Sequence, residues 1–421
     1  MTSSPADVTD DDGLEEEAHG DVRRLEVAML GAGVAGFGLM YCTQALLPAI
    51  GDAFGVVPAA AALTVALTTG SLALGVVPVS SLAESFGRAR VMRVALVAAC
   101  LLTAAGALAS AFWVELVVRA LVGVALAGVV AVAMGHLGDE VPHRIVGTAM
   151  GLYVSGNTLG GVAGRVVPAA VHAVGSWRLA VLVMAGVGAV ATVVFVVLLP
   201  PPRRFRAAPF EVRGHLRAVG DHLREPGIRR LCLTALLLMG GFVATYNYLT
   251  YRLQQAPFDL PASVGGLVFL AYLAGTVTST LAGRLADRHG RRVVLLTSIV
   301  VMGTGLALTV PDVLWCVVAG LVVFTGGFFG AHSTASGWVA RRATSRRAQA
   351  SALYLMAYYA GSSIGGALVG FAWSAGGWGL TAGVVGALLL AGLAVAVGVV
   401  EPAQPTGSSS AMTSSETSKL A

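Results

Sequence analysis

Long apolar runs separated by short polar stretches dominate this chain. Each run holds roughly 20 residues, which at about 1.5 Å per residue of helix is enough to cross a hydrocarbon core about 30 Å thick. The ten-residue alternation that is typical of membrane β-strands does not occur. We therefore predict an all-α membrane protein with twelve transmembrane helices at residues 26–50, 59–82, 91–110, 112–136, 145–171, 177–199, 229–253, 262–284, 293–310, 313–338, 348–372 and 378–400.

The second half of the sequence repeats the first at a nearly constant offset. Gly87-Arg88 recurs as Gly290-Arg291, and Gly160 recurs as Gly361. A six-helix unit used twice predicts two pseudo-symmetric bundles with a substrate path between them. We assign the bundles to residues 25–199 and 229–400, a cytoplasmic linker with a short surface helix to 200–228, and disordered tails to 1–24 and 401–421.

The composition supports a membrane protein and orients it. Hydrophobic residues make up 56% of the 421 residues and charged residues 12%, with a mean hydropathy of +0.80. Under the twelve-helix topology, 23 of the 27 Lys and Arg lie in the tails and the even-numbered connections. By the positive-inside rule, this places both termini on the cytoplasmic side of a bacterial-type inner membrane. The basic charge is thus explained by topology and does not indicate nucleic-acid binding.

Several other classes of protein lack support in the sequence. Residues 1–21 contain eight acidic residues and no Lys or Arg, whereas a signal peptide needs a basic start. The cysteines occur singly, which predicts neither a metal site nor a disulfide framework. No spacing indicates a catalytic nucleophile or a nucleotide-binding loop, so we expect no enzyme activity and no cofactor.

The decapeptide GRLADRHGRR, which runs from Gly283 to Arg292, is the most polar connection within the second half. It reproduces the signature G-x-L-A-D-R-x-G-R-R, and with the six-plus-six repeat the chain resembles the major facilitator superfamily of secondary transporters over residues 25–400. The first half carries a degraded copy, SSLAESFGRAR. The residues of the two copies that we assign to cytoplasmic gating are Gly283, Asp287, Arg288, Gly290, Arg291, Arg292, Glu84, Gly87 and Arg88.

A physical role for the decapeptide follows from its position. Asp287 lies where the eighth span ends, near the predicted start of the fifth span, where a carboxylate meets the positive end of a helix dipole. The resemblance implies a latch between the bundles that closes the cytoplasmic side. We expect the contact from Asp287 to be stronger than the corresponding contact from Glu84 to the eleventh span. A loop that only sets the membrane topology is the alternative.

Charged residues inside the spans are candidates for proton coupling. Glu115 precedes Arg119 by four residues, so the two share a helix face and can form an ion pair. Protonation of Glu115 would leave Arg119 unpaired, which makes the pair a proton-sensitive element; a static salt bridge is the alternative. Arg165 is a second deep charge, and His332 is a further candidate that can equally be a structural histidine.

The run SGNTLGGVAGR in the fifth span places glycines at every fourth position. It resembles the antiporter motif G-P-x-x-G-G of the same superfamily, with an asparagine in place of the proline, and this resemblance favours an exporter. The alternative is that the glycines only permit close helix packing. The residues of this motif are Gly156, Asn157, Gly160, Gly161 and Gly164.

Seven of the nine tyrosines lie in the second half, whereas both deep arginines lie in the first. We infer that the first bundle carries ionic coupling and that the second offers aromatic contacts to the substrate. Interfacial anchoring or packing is the alternative for each tyrosine. The candidates for the substrate cavity are Tyr41, Gln44, Asn247, Tyr251, Tyr272, Tyr354 and Tyr358.

The sequence therefore predicts a monomeric secondary transporter that exports a small organic solute, such as a drug, sugar or metabolite, in exchange for protons. Two deep arginines against one glutamate favour a neutral or anionic substrate. An uptake symporter or uniporter shares every architectural feature and is the main alternative. A non-transporting membrane receptor is a more remote one.

Overall fold

The computed structural model describes residues 6–142, 145–202, 207 and 212–400, and its regular elements in these ranges are all helical. The elements of the first half are α1 (Ala6–Tyr41), a 3₁₀ turn (Gln44–Leu46), α2 (Leu47–Phe54), α3 (Pro58–Ala61), α4 (Leu63–Phe86), α5 (Arg88–Gly106), α6 (Phe112–Val130), α7 (Ala133–Glu140), α8 (Val146–His172) and α9 (Trp177–Leu198).

The linker and the second half follow the same plan. Their elements are α10 (Val212–Arg224), α11 (Pro226–Leu253), α12 (Ala262–Gly265), a 3₁₀ segment (Gly266–Ala271), α13 (Tyr272–His289), α14 (Arg291–Leu308), α15 (Leu314–Arg342) and α16 (Arg347–Val397).

Each half forms a bundle with the same internal packing. In the first, α1 packs against α8 and α9, and α6 packs against α4 and α5; in the second, α11 packs against α16, and α15 packs against α13 and α14. The bundles meet where α4 packs against α16 and where α8 packs against α12 and the 3₁₀ segment. The linker helix α10 lies against α4, α11 and α16, at the place where the sequence predicts a surface helix.

The number of spanning helices differs from the prediction. Within the described residues, ten helices are long and apolar enough to cross a membrane. One of them, α16, covers two predicted spans, because its backbone leaves helical geometry only at Gly376 and Gly377. The helix α8 occupies the predicted fifth span but is not among the ten; it is rich in glycine and carries Asn157 and Arg165. The count of twelve spanning helices therefore stays a prediction.

Two boundary predictions need correction. The first helix begins at Ala6, so residues 6–24, which we expected to be disordered, are helical in the structure. The physical reason for the difference is the helix propensity of this segment, since residues 14–18 read LEEEA and Leu, Glu and Ala are strong helix formers. The first predicted span is also interrupted, because α1 ends at Tyr41 and a 3₁₀ turn precedes α2. The predicted tail 401–421 lies outside the described residues.

The two ends of the molecule are named here by their residues. The basic end contains the C-terminal ends of α4 and α13 and the N-terminal ends of α8, α11 and α16. The opposite end contains the C-terminal ends of α1, α8 and α11.

Candidate functional site

A polar contact joins the two bundles toward the opposite end. Gln44 follows the C-terminus of α1, and Asn247 lies 203 residues later on α11, near its C-terminal end, so the two occupy equivalent positions in the repeat. The Gln44 Nε2 donates a hydrogen bond to the Asn247 Oδ1 at 2.7 Å, and both side chains are fully buried. We call this contact the Gln44–Asn247 clasp.

Close backbone packing closes the same end on both sides of the clasp. A Cβ added to Gly266, in the 3₁₀ segment, would lie 2.4 Å from the Cβ of Ala169 on α8. On the other side, a Cβ added to Gly370 of α16 would lie 2.7 Å from Ala59 of α3. The bundles are therefore in tight contact at the opposite end.

Arg165 reaches the clasp from α8. Its Nε donates to the Gln44 Oε1 at 2.6 Å, and its Nη1 donates to the backbone carbonyl of Gly161. The guanidinium carbon lies 4.0 Å from the ring centroid of Tyr41 and 4.5 Å from that of Tyr272, within cation–π distance of both. The side chain is 1% exposed and forms no ion pair with a described residue. Arg165 is thus a buried cation held by an amide, a carbonyl and aromatic rings.

Two donors in this cluster have no acceptor among the described residues. The Arg165 Nη2 donates no hydrogen bond, and the hydroxyl of Tyr272, a residue 8% exposed, has no partner. Of the two, the Tyr272 hydroxyl is fully buried, and a buried donor without a partner costs about 1–3 kcal/mol, so this group calls for a functional explanation. We call Arg165, Tyr41 and Tyr272, with Phe269 behind them at 5.4 Å from the guanidinium, the arginine cage.

A small pocket that we call the aromatic cleft lies inside the second bundle. It is lined by residues of α11, α15 and α16, among them Thr234, His332, Tyr354 and Tyr358. The His332 Nδ1 and the Tyr354 hydroxyl are 3.0 Å apart, and the ring centroids of His332 and Tyr358 are 4.6 Å apart.

Four of the five tyrosines predicted for the cavity fall into two groups. Tyr41 and Tyr272 contact Arg165, and Tyr354 and Tyr358 line the cleft. Tyr251 is separate: it stacks on Tyr248 and Trp373 near the opposite end, and no described contact links it to Arg165.

The predicted ion pair between Glu115 and Arg119 does not form. Arg119 instead donates to the carbonyls of Leu39 at 2.8 Å and Met40 at 3.3 Å, and to the Thr68 hydroxyl at 3.2 Å. The physical reason is the end of α1 at Tyr41, which leaves the last carbonyls of the helix without intrahelical donors.

Glu115 is left as a buried carboxyl. Its side chain is 0% exposed, and neither of its oxygens has a hydrogen-bond partner in the part of the chain that the structure describes. It packs against Gly106 at the C-terminal end of α5, where an added Cβ would lie 2.7 Å from the Glu115 Oε2.

Both copies of the loop signature contain a glycine in a backbone conformation that other residues rarely adopt. Gly87 and Gly290 end α4 and α13 with φ/ψ of 97°/127° and 86°/146°, a region that only glycine adopts without strain. Both positions turn the chain directly into the next helix, because α5 begins at Arg88 and α14 at Arg291.

The charged residues of the signature contact their own bundle. Asp287 is 66% exposed and accepts a hydrogen bond from Arg291 at 3.2 Å. Arg292 donates to the Val397 carbonyl at 2.8 Å, and Arg88 pairs with Asp139 of α7. The predicted partner region of Asp287 includes Arg144, which lies outside the described residues. The latch itself stays a prediction, as does the contact from Glu84, which is half-buried at the end of α4.

The glycine stripe of α8 packs directly on the backbone of α1. A Cβ added to Gly156, Gly160 or Gly164 would lie 2.4 Å from the carbonyl oxygen of Leu30, Val34 or Gly38. In the second half, added Cβ atoms at Gly361 and Gly365 would lie 2.1 Å and 2.4 Å from the backbone of α11. Because the contact recurs in both bundles, helix packing explains these glycines. The neighbouring Asn157 packs against Gly33 of α1.

Sequence reasoning missed a set of arginines at the basic end of the second bundle. The Arg342 Nη1 donates to the Val400 carbonyl at 2.6 Å, and Arg230 donates to the Gly398 carbonyl. These contacts satisfy carbonyls at the C-terminal end of α16. The signal available in the sequence was the basic clustering itself, which we assigned entirely to topology.

Glu225 completes this set at the N-terminus of α11. Its Oε1 accepts from the Arg342 Nη2 at 2.8 Å, and its Oε2 accepts from the Ile228 N–H. Burial raises the pKa of Glu225, but hydrogen bonds from Arg342 and from the N–H groups of Ile228 and Gly227 outweigh burial and hold the pKa below its ordinary value.

Comparison with known proteins agrees with this architecture. The chain is 37% identical over 371 residues to the uncharacterized MFS-type transporter YybF of Bacillus subtilis, an alignment that covers 88% of this chain and 92% of the relative. It is 37% identical over 372 residues to the inner membrane transport protein YnfM of Escherichia coli, covering 88% and 89%.

A solved structure and a family model identify the fold and the family. A crystal structure of the nucleoside transporter NupG superposes with a TM-score of 0.71 at 15% identity, covering 88% of this chain and 99% of that one, which shows a shared fold. The family model of the Major Facilitator Superfamily matches residues 28–271 and 255–419. The chain therefore belongs to the Major Facilitator Superfamily and is a multi-pass membrane transporter.

Proposed function

We propose that this transporter exports a small organic solute in exchange for protons by alternating access. The observation that carries the proposal is the asymmetry between its ends: the Gln44–Asn247 clasp and close backbone contacts join the bundles at the opposite end, while Asp287 at the basic end pairs within its own loop. Such a molecule is poised to receive a solute from the basic end. We assign that end, with both termini, to the cytoplasmic face of the plasma membrane, in agreement with the basic residues there.

The proton-carrying group in this proposal is Glu115. A fully buried carboxyl without donors is most easily accommodated as the protonated acid, because an ionised carboxylate there has no compensating contact. Arg119 has its own acceptors, so Glu115 can exchange a proton without breaking an ion pair. The predicted sensitivity to protons is therefore retained, with a different physical basis.

His332 is the weaker candidate for the proton step. It is held by Tyr354 in the aromatic cleft, and no acidic side chain is among its described contacts. We infer that it shapes the solute path and that the proton is carried by Glu115. The protein is expected to work as a monomer, and its partners are the solute, protons and the lipid bilayer.

Inverted membrane vesicles test the exchange. Vesicles with an acidic lumen and a quenched acridine dye are given sugars, carboxylates and lipophilic cations from outside, and recovery of fluorescence reports protons leaving in exchange for solute. We expect recovery with the wild-type protein and loss of recovery in Glu115→Gln. Glu225→Gln is the matched control, since it removes a carboxylate outside the spans and should leave recovery intact.

The same assay separates exchange from uptake. An uptake symporter or a uniporter would carry added solute without releasing luminal protons, so fluorescence would stay quenched while labelled solute moved. Undiminished recovery in Glu115→Gln would remove that residue as the proton carrier.

A further inference from the structure

We propose that the arginine cage is the binding site for a carboxylate group of a substrate with a flat apolar body. The inference rests on the proposed function only in taking the interface between the two bundles, where Arg165 of α8 contacts Tyr272 of α13, as the substrate path. It names both the charge and the shape of the solute, neither of which the architecture of the fold specifies.

The negative charge proposed for the substrate follows from the lack of a carboxylate partner for Arg165 among the described residues. The guanidinium is 1% exposed and is balanced by no carboxylate among the described residues, although a buried cation is normally paired. One nitrogen is held by Gln44 and one by the Gly161 carbonyl, and Nη2 donates to no described acceptor. A substrate anion would supply the missing partner.

A second donor beside the guanidinium also lacks an acceptor. The Tyr272 ring lies against Arg165, and its hydroxyl has no partner among the described residues although Tyr272 is only 8% exposed. An arginine N–H and a phenol hydroxyl can donate to the two oxygens of one carboxylate. A neutral amide of the same shape would offer only one acceptor oxygen and no charge.

The shape of the substrate follows from the walls. The rings of Tyr41 and Tyr272 cover the guanidinium. Ring contacts continue from Tyr272 through Phe242 and Phe328 to Tyr358 at the aromatic cleft. Aromatic faces pack best on flat apolar groups. A planar body carrying one carboxylate therefore fits both the walls and the donors.

Equilibrium binding to the purified full-length protein tests this assignment. Benzoate, 1-naphthoate and indole-3-acetate are titrated at pH 7 by calorimetry, each beside its primary amide. We expect at least one acid to bind about tenfold more tightly than its amide, the effect of one charge-assisted contact. Arg165→Gln should abolish this preference, and Arg165→Lys should keep part of it. No acid preference in the wild-type protein, or a preference that survives Arg165→Gln, would overturn the proposal.

A milder pair of variants keeps the test decisive if Arg165→Gln does not fold. Tyr272→Phe removes only the unpartnered hydroxyl and should weaken binding of the preferred acid severalfold. Tyr246→Phe is the matched control, because the Tyr246 hydroxyl is already bonded to Thr325 at 2.7 Å. Equal effects of the two variants would contradict the role of Tyr272.

The outcome is independent of the proton exchange. Binding is measured without a gradient, so loss of acid preference would leave proton-driven flux standing with a different class of solute. Acid preference without proton release in the vesicle assay would retain the cage and refute the exchange.

Discussion

Gly290 shows how one residue of the loop signature acts through its backbone. Its φ of 86° and ψ of 146° lie where an added Cβ is strained, so Gly290→Ala should lower the free energy of unfolding by about 1–3 kcal/mol. The measurement is the apparent unfolding temperature of the purified protein. Gly283→Ala is the control, because an added Cβ there meets no atom within 4 Å and alanine favours a helix. Equal losses in both variants would refute the backbone explanation.

The ion pair between Glu225 and Arg342 should make stability depend on pH. Because the folded-state pKa of Glu225 lies below its ordinary value, the contribution of this carboxylate is present above the unfolded pKa and is lost as pH falls through the folded one. We expect Glu225→Gln to lower the unfolding temperature at pH 7, with the difference shrinking below about pH 4. A difference that grew on acidification would contradict this sign.

At the residue scale, the sequence indicates which arginines are buried more reliably than it indicates which groups they contact. It singled out Arg119 and Arg165 as deep charges, and both are buried. It paired Arg119 with Glu115 because they are four residues apart on one helix. The acceptors that Arg119 actually uses are released by the end of α1, a tertiary feature that helical spacing does not encode.

At the scale of elements, the glycine stripe of α8 sets how closely it approaches α1. An added Cβ at Gly160 would lie 2.4 Å from the Val34 carbonyl oxygen, so Gly160→Ala must push the helices apart. We expect it to lower the unfolding temperature by several degrees. Gly151→Ala on the same helix is the control, since its Cβ would meet no atom within 4 Å. A similar response to both would refute the packing role.

The spacing of these glycines was visible in the sequence, and so was the helical linker. The 3₁₀ interruptions of the predicted spans could not be placed from the sequence. The 3₁₀ segment before α13 lies within an apolar run, so hydropathy gives no boundary signal there. At the 3₁₀ turn after α1 the polar signal is limited to Thr43 and Gln44, which is too short to divide the predicted span. These interruptions matter for the site, because they place Gln44 and Phe269 beside Arg165.

At the scale of the whole molecule, the internal repeat predicted the two bundles and their common packing. It did not predict which end would be closed, because a sequence with two equivalent halves is compatible with either state and the states differ by only a few kcal/mol. The buried contacts at Gln44 and Asn247 and the exposed Asp287 carry that information.

We propose that the bundles rock about their interface during alternating access and that the Gln44–Asn247 clasp holds the opposite end closed. Double electron–electron resonance measures the distance between two spin labels and tests this rocking motion directly. The labels are introduced into a protein whose native cysteines have been replaced. Labels at Val174 and Val313 report the opposite end, where these side chains are 89% and 50% exposed. Labels at Gly147 and Gly337 report the basic end, where an added Cβ would meet no atom within 4 Å.

Removal of the clasp by Gln44→Leu should lengthen the distances at the opposite end and shorten those at the basic end in the same preparation. Tyr246→Phe, which loses a hydrogen bond inside one bundle, should change neither distribution. Unchanged distances in Gln44→Leu, or distances that lengthen at both ends together, would contradict the account.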